Sequence, residues 1–268
     1  GESGACARNH GFARWRGCAF KAAYPLARVE LRDAALPVTA TLEAMNPLLP
    51  GRPDESGIPA ALLRWTIANV SSAQLKASVI CFLQNPAKGT NRAVRVAQDG
   101  LAGGRLCAEG ADLLGTGEVA LALPQGCGEV TSATDFDESS WMSGFDGIWR
   151  QFVASGKAED FADAERCGKH ALASLAISFD LRPGEAKALP FALAWRFAHR
   201  YAWAWADGGP VDVGNWYATR YPNALAAARD LLTNLGAYER GTVEFVESVL
   251  AKAAPDVVKE AALFNLST

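Results

Sequence analysis

The sequence predicts a mainly β chain, an antiparallel two-sheet β-sandwich followed by helices, and three observations predict it. Apolar residues alternate with polar ones in several separate runs, which is the period of a strand with one buried face. Clusters of Pro, Gly and Asn punctuate those runs, with no helix-period segment between them, as in a sandwich. Near residue 212 the pattern changes to Ala and Leu at helical spacing.

In chain order, Leu26, Val29 and Leu31 fall in a short apolar run broken by charges, and Val38, Ala40, Leu42 and Ala44 alternate in PVTATLEAM. Pro47, Pro50, Pro53 and Gly57-Ile58-Pro59 mark a loop. Leu63, Trp65 and Ile67 alternate, Asn69-Val70-Ser71-Ser72 reads as a turn, and Leu75, Ala77, Val79, Cys81 and Leu83 alternate strictly. Two such runs joined by a short polar turn predict an antiparallel hairpin. Residues 86–116, rich in Gly, Ala and charge, predict loops and short edge strands. Val119, Leu121 and Leu123 resume the alternation, and ALASLAISFDL and ALPFALAWRF follow, separated by the tight turn Arg182-Pro183-Gly184-Glu185.

From Gly214 on, Ala226, Ala227, Ala228, Leu231, Leu232 and Leu235 recur at helical spacing, with Gly236 as the expected C-cap. Val243, Val246, Val249 and Leu250 form a second helix, and Val257, Ala261 and Phe264 share a face of a third, opened by Pro255-Asp256. These helices run to Thr268 in mid-pattern, and a helical array alone cannot bury its apolar faces. The expectation is that the natural protein continues and that this chain is a fragment: residues 1–211 a sandwich domain, residues 212–268 linker helices and the start of a helical domain.

Half of the 268 residues are apolar and 21% are charged, enough for one or two globular domains. Net charge is −3 with no basic stripe, so no nucleic-acid partner is expected. No run of eighteen apolar residues predicts a transmembrane segment, and GESGACARNHG lacks the apolar core of a signal peptide. Of the six cysteines none forms a CxxC pair, so no metal site is expected. Cys81 reads as a small buried hydrophobe. Cys107 and Cys127 are open to bridging or to remaining free; a chain this long needs no staples, which favours reduced thiols and a cytoplasmic location.

No nucleophile, zincin, phosphate-loop or dinucleotide motif is complete, so no catalytic residue and no cofactor is assigned. His10, His170 and His199 read as structural or solvated. The densest chemical segment is DFDESSWMSGFDGIW, residues 135–149. Its Asp135, Asp137 and Glu138 beside Trp141 and Trp149 suit sugar hydroxyls and a pyranose face. The blander reading, a loop whose aromatics dock on its own sandwich, stands ahead of that one, and a metal-binding loop behind it. Six of the eight tryptophans lie between 141 and 216. Trp195, Arg196, Trp203, Trp205, Asn215, Trp216 and Tyr217 sit where strands give way to helices, so a domain interface is expected there, with a ligand groove as the alternative.

At these residues the chain resembles glycoside hydrolase family 116, the β-glucosidases and non-lysosomal glucosylceramidases. The likeness is carried by YPLARVELRDAALPVTATLEAMNPLLPGRPDESGIPAALLRWTIANVSS, by RPGEAKALPFALAWRFAHR, by VGNWYATRYPNA and by KEAALFNLST. These stretches span about residues 15–85 and 172–268. The sequence departs from the family pattern at Ala198-His199-Arg200, where a Pro-Asn-Arg-like ending is expected. The resemblance implies a β-sandwich packed on an (α/α)6 barrel, a sandwich incomplete at its N-terminus, and a retaining mechanism whose Glu nucleophile and Asp acid/base lie in the barrel after Thr268. It therefore implies a non-catalytic N-terminal module, inactive alone, whose partner is a C-terminal (α/α)6 catalytic domain and whose parent acts on a β-glucoside or glucosylceramide. A stand-alone carbohydrate-binding module is the rival expectation.

Overall fold

The computed structural model describes residues 13–87, 89–110, 113–134, 144–160, 172–202, 209 and 211–267. Its strands are β1 (Gly17–Ala23), β2 (Leu26–Arg32), β3 (Val38–Met45), β4 (Ala60–Asn69), β5 (Leu75–Gln84), β6 (Thr90–Gln98), β7 (Leu101–Glu109), β8 (Gly117–Pro124), β9 (Glu129–Ala133), β10 (Leu172–Leu181) and β11 (Ala186–Arg196). Its helices are α1 (Pro53–Ser56), α2 (Gly144–Ser155), α3 (Tyr217–Arg220), α4 (Ala224–Thr233), α5 (Leu235–Leu250) and α6 (Asp256–Phe264). The chain is thus mainly β, with a group of helices at its C-terminal end.

All pairing between strands is antiparallel. Eight strands form one sheet in the order β1-β2-β3-β4-β11-β8-β7-β6, and β5-β10-β9 form a second. The core between the sheets takes Val119, Leu121 and Leu123 from β8, Leu189 and Phe191 from β11, and Leu175, Ile177, Phe179 and Leu181 from β10. Because strand side chains alternate faces, the residues between those positions point away from the small sheet. On β8 and β11 they include Ala120, Ala122, Ala192 and Ala194, all fully buried. What buries them is α4, whose Ala224, Ala227, Ala228 and Leu231 lie on that outer face with Tyr238 of α5. Alanine against alanine lets helix and sheet approach closely, so the large sheet lies between a layer of helices and the small sheet.

Four expectations are corrected. The runs at 63–67 and 75–83 are not a hairpin: β4 pairs with β11 in the large sheet and β5 with β10 in the small one. Together they form a two-stranded ribbon that bends from one sheet into the other at residues 70–74 and 182–185. Alternation reports a buried face, not a pairing partner. Asn69, 2% exposed, braces this corner: its Nδ2 donates to the carbonyls of Ala73 at 2.8 Å, Leu181 at 3.2 Å and Arg182 at 3.1 Å. Second, residues 86–116 hold the nine-residue strands β6 and β7, paired along their whole length. Gly103 interrupts the apolar pattern there because a Cβ would stand 2.1 Å from the Leu121 carbonyl oxygen. Third, a helix, α2, interrupts the strand region; its Ile148 is buried against Ala133 and Ala176 on the outside of the small sheet. Fourth, Gly236 does not cap α4, which ends at Thr233 with Asn234 as its C-cap; Gly236 lies in the first turn of α5.

Cys81 is half-buried and packs against the core, not wholly inside it as the sequence led one to expect, and desolvation pushes its thiol up to about 12. Cys18, Cys81, Cys107 and Cys127 are free thiols. Among the described residues no helix is long and apolar enough to cross a membrane.

Candidate functional site

The junction between the last strand and the first helices is the region where the most expected site residues meet. Trp195 and Arg196 are neighbours on β11 and therefore face opposite ways. Trp195 packs into the core between the sheets. Arg196 points to the helical layer, where its Nε donates to the Tyr221 carbonyl at 2.8 Å and its Nη2 to the Ala218 carbonyl at 3.4 Å. These carbonyls lie at the C-terminal side of α3, where a cation is favoured. Asn215 Nδ2 donates to the Phe197 carbonyl at 2.7 Å. The Tyr217 hydroxyl donates to that same carbonyl at 3.0 Å and accepts from Phe197 N–H at 3.2 Å. Three expected interface residues therefore lock the end of β11 to α3 through its backbone.

Beyond the lock, residues 198–202 and 211–215 run side by side. Asp212 is their clasp: Oδ2 accepts from His199 Nδ1 at 2.6 Å, and Oδ1 accepts from the backbone N–H of Arg200 at 3.1 Å and Gly214 at 2.9 Å. Gly214 turns with φ 65°, a left-handed conformation suited to glycine. The hydrogen bond from His199, then those from the Arg200 and Gly214 amides, hold the Asp212 carboxyl below the usual carboxylate range. A general acid for glycoside cleavage needs the opposite shift; Asp212 is a fixed anion that organises a turn.

Trp216 is 68% exposed, with its Nε1 donating to Asp54 Oδ1 of α1 at 3.1 Å. Arg220 also holds Asp54, donating to its carbonyl at 2.7 Å. The indole is thus held at its nitrogen while its rings are exposed, with exposed Val211 and Val213 nearby in sequence. Sequence reading did not find Asp54, His199 or Asp212 as members of this junction, because their partners lie far off in the chain or across an irregular turn.

The carboxylates around the helical layer are similarly engaged. Glu118 on β8 accepts from the Ala224 amide that opens α4 and pairs with Arg105 at 3.2 Å. Asp230 of α4 accepts from the Tyr221 hydroxyl at 2.5 Å and the Tyr238 hydroxyl at 3.3 Å. Burial, followed by Asp230, pushes the Tyr238 hydroxyl up to about 12. Across the outer face of β1–β4 the register sets Lys21, Arg28, Glu43 and Arg64 in one row, and Arg64 continues it to Glu239 of α5. This row floors a cleft of about 340 Å³. Each of these carboxylates is thus tied to a cation, a hydroxyl or an amide.

Of the segment 135–149, Asp135, Asp137, Glu138 and Trp141 lie outside the described residues, as do Trp203 and Trp205. Trp149 is half-buried on α2, with its ring 5.8 Å from that of Phe152.

A family model described as "beta-glucosidase 2, glycosyl-hydrolase family 116 N-term" matches residues 4–238. No curated protein matches the chain. Among solved structures it is similar to "Putative kojibiose phosphorylase from human microbiome", at 7% identity and a TM-score of 0.45, over 84% of this chain and 23% of that one. The chain spans about a quarter of that protein's length.

Proposed function

This chain belongs to the N-terminal domain family of the family 116 glycosyl hydrolases, and from that membership we propose that it is a non-catalytic module that supports and docks a helical catalytic domain. The strand region to residue 211 forms the supporting sandwich, and residues 212–268 lead into the catalytic domain, with α4 as the seam. The parent protein hydrolyses β-glucosides or glucosylceramide, with its Glu nucleophile and Asp acid/base on the catalytic domain. One observation carries the supporting role: Arg196, Asn215 and Tyr217 fix the first helix to the last strand through backbone groups, a rigid mount for whatever those helices bear. At the far end of the mount, Val257 and Val258 on α6 face outward, 71% and 54% exposed, as a surface suited to further helices.

Exposed Trp216 favours a second reading, a stand-alone carbohydrate-binding module. Two measurements test these readings, and the second separates them. With aryl β-glucosides, the 268-residue chain alone is expected to release no product, and turnover by it overturns the supporting role. In titrations with glucose or cellooligosaccharides, the supporting role predicts an unchanged tryptophan fluorescence. Millimolar or tighter binding that is lost in Trp216→Ala favours the second reading instead. The free thiols suit a cytoplasmic protein.

A further inference from the structure

The two sheets are unequal, and the mismatch leaves a built surface. The small sheet has three strands against eight, and β5, its edge, lies over β8. The inner faces of β1, β2, β3 and β4 therefore extend past β5. Register puts Phe20, Val29, Leu42 and Trp65 in one row directly across those four strands. This is an apolar row on the face that a second sheet would cover, and Phe20 is 66% exposed. Between this face and β5 runs a groove of about 470 Å³, reached by Trp15, Val38, Trp65, Ala77 and Val79. Several of these residues also pack against the core between the sheets, so the groove is that core continued outward. On its other side β5 pairs with β10. Along Leu75–Cys81, the stretch bordering the groove, no backbone partner stands on the free side among the described residues.

We propose that this groove is a receptor for one extended polypeptide strand, which adds to the free edge of β5 and sets alternate apolar side chains against Val38 and Trp65. Two independent features select that occupant. A strand edge presents amide donors and carbonyl acceptors at strand spacing, which a peptide backbone matches and a helix does not. The facing wall is apolar, with Lys76 the one charged residue reaching the groove among the described residues, so every second side chain of the strand is apolar. A second copy of this chain does not fit by antiparallel pairing of two β5 edges. Four strands overhang β5, roughly 19 Å of sheet at about 4.8 Å per strand, and those of both copies would claim the same space. The inference concerns the sandwich alone and stands or falls apart from the role proposed for the helices.

The test uses the 268-residue chain and a soluble decapeptide alternating valine with threonine. Its control is the same peptide methylated at alternate backbone nitrogens. Hydrogen exchange of the amides in Leu75–Cys81 that face away from β10 is expected to slow about ten-fold or more with the first peptide. The methylated peptide is expected to give no slowing, and Val38→Lys, placing an ammonium in the groove, to weaken binding at least about ten-fold. Equal protection by both peptides, or none by either, overturns the proposal. Protection already present without peptide also overturns it: sedimentation of a monomer then assigns the edge to this chain's own residues, and of a dimer to a second copy.

Discussion

Where α4 covers it, the large sheet has two faces built from the same strands that differ in side-chain size. On β8 and β11 the face toward the small sheet carries Val119, Leu121, Leu123, Leu189 and Phe191, and the opposite face carries Ala120, Ala122, Ala192 and Ala194. Facing sheets stand about 10 Å apart and need large side chains to fill the gap. A helix presenting its own alanines can come closer only onto small ones. The size of the alternate residue thus specifies which kind of element covers each face, and it makes α4 part of the sandwich's own core.

The largest expected effect comes from removing the cover of the small-residue face. A chain ending at Val211 is expected to show no cooperative thermal transition by circular dichroism, whereas one ending at Leu250, which keeps α4 and α5, melts cooperatively. A cooperative transition in the shorter chain would break the comparison. On the large-residue face, Phe191→Ala is expected to cost about 3–5 kcal/mol in urea unfolding, the range for a buried aromatic truncated in a close-packed core. Ala194→Leu makes the opposite change on the opposite face, forcing bulk between β11 and α4, and is expected to cost about 1–3 kcal/mol. A neutral result there would show that α4 rides loosely on the sheet. The smallest effect is electrostatic and lies outside both cores. The depressed Asp212 carboxyl contributes stability that is present above its unfolded value near 3.8 and is lost as pH falls through its lower folded value. Asp212→Asn is therefore expected to lower the melting temperature at pH 6 and to change it less as the pH is taken below 3.8.

Much of the strand content was legible because one-sided burial imposes period two: β3, β4, β5, β8, β10 and β11 all lie where alternation placed them. The β6–β7 hairpin was not, since close backbone approach at Gly103 replaces an apolar signal with none. The helical layer was legible as helices but not as a layer. The alanines that announce it were in plain view, yet alternation was read for hydrophobicity and not for volume. At the junction, Arg196, Asn215 and Tyr217 were singled out from their position at the change of pattern, and the structure brings them together on Phe197 and the carbonyls of α3 and its C-cap. Asp54 was invisible because its link to Trp216 spans 162 residues. The inner row Phe20–Val29–Leu42–Trp65 was equally hidden, since only strand register creates it.

The corner held by Asn69 has a mechanical side. Since β4 and β11 pass into β5 and β10 as one bent ribbon, the angle of that bend sets how far β5 stands from the wall opposite it. The corner is a hinge pin, and the groove is the gap between the leaves. Loosening the pin, as Asn69→Ala would by removing three amide-to-carbonyl ties, alters the gape of the groove while leaving its lining intact. Strand capture would then be tuned from the corner, by leverage instead of by contact.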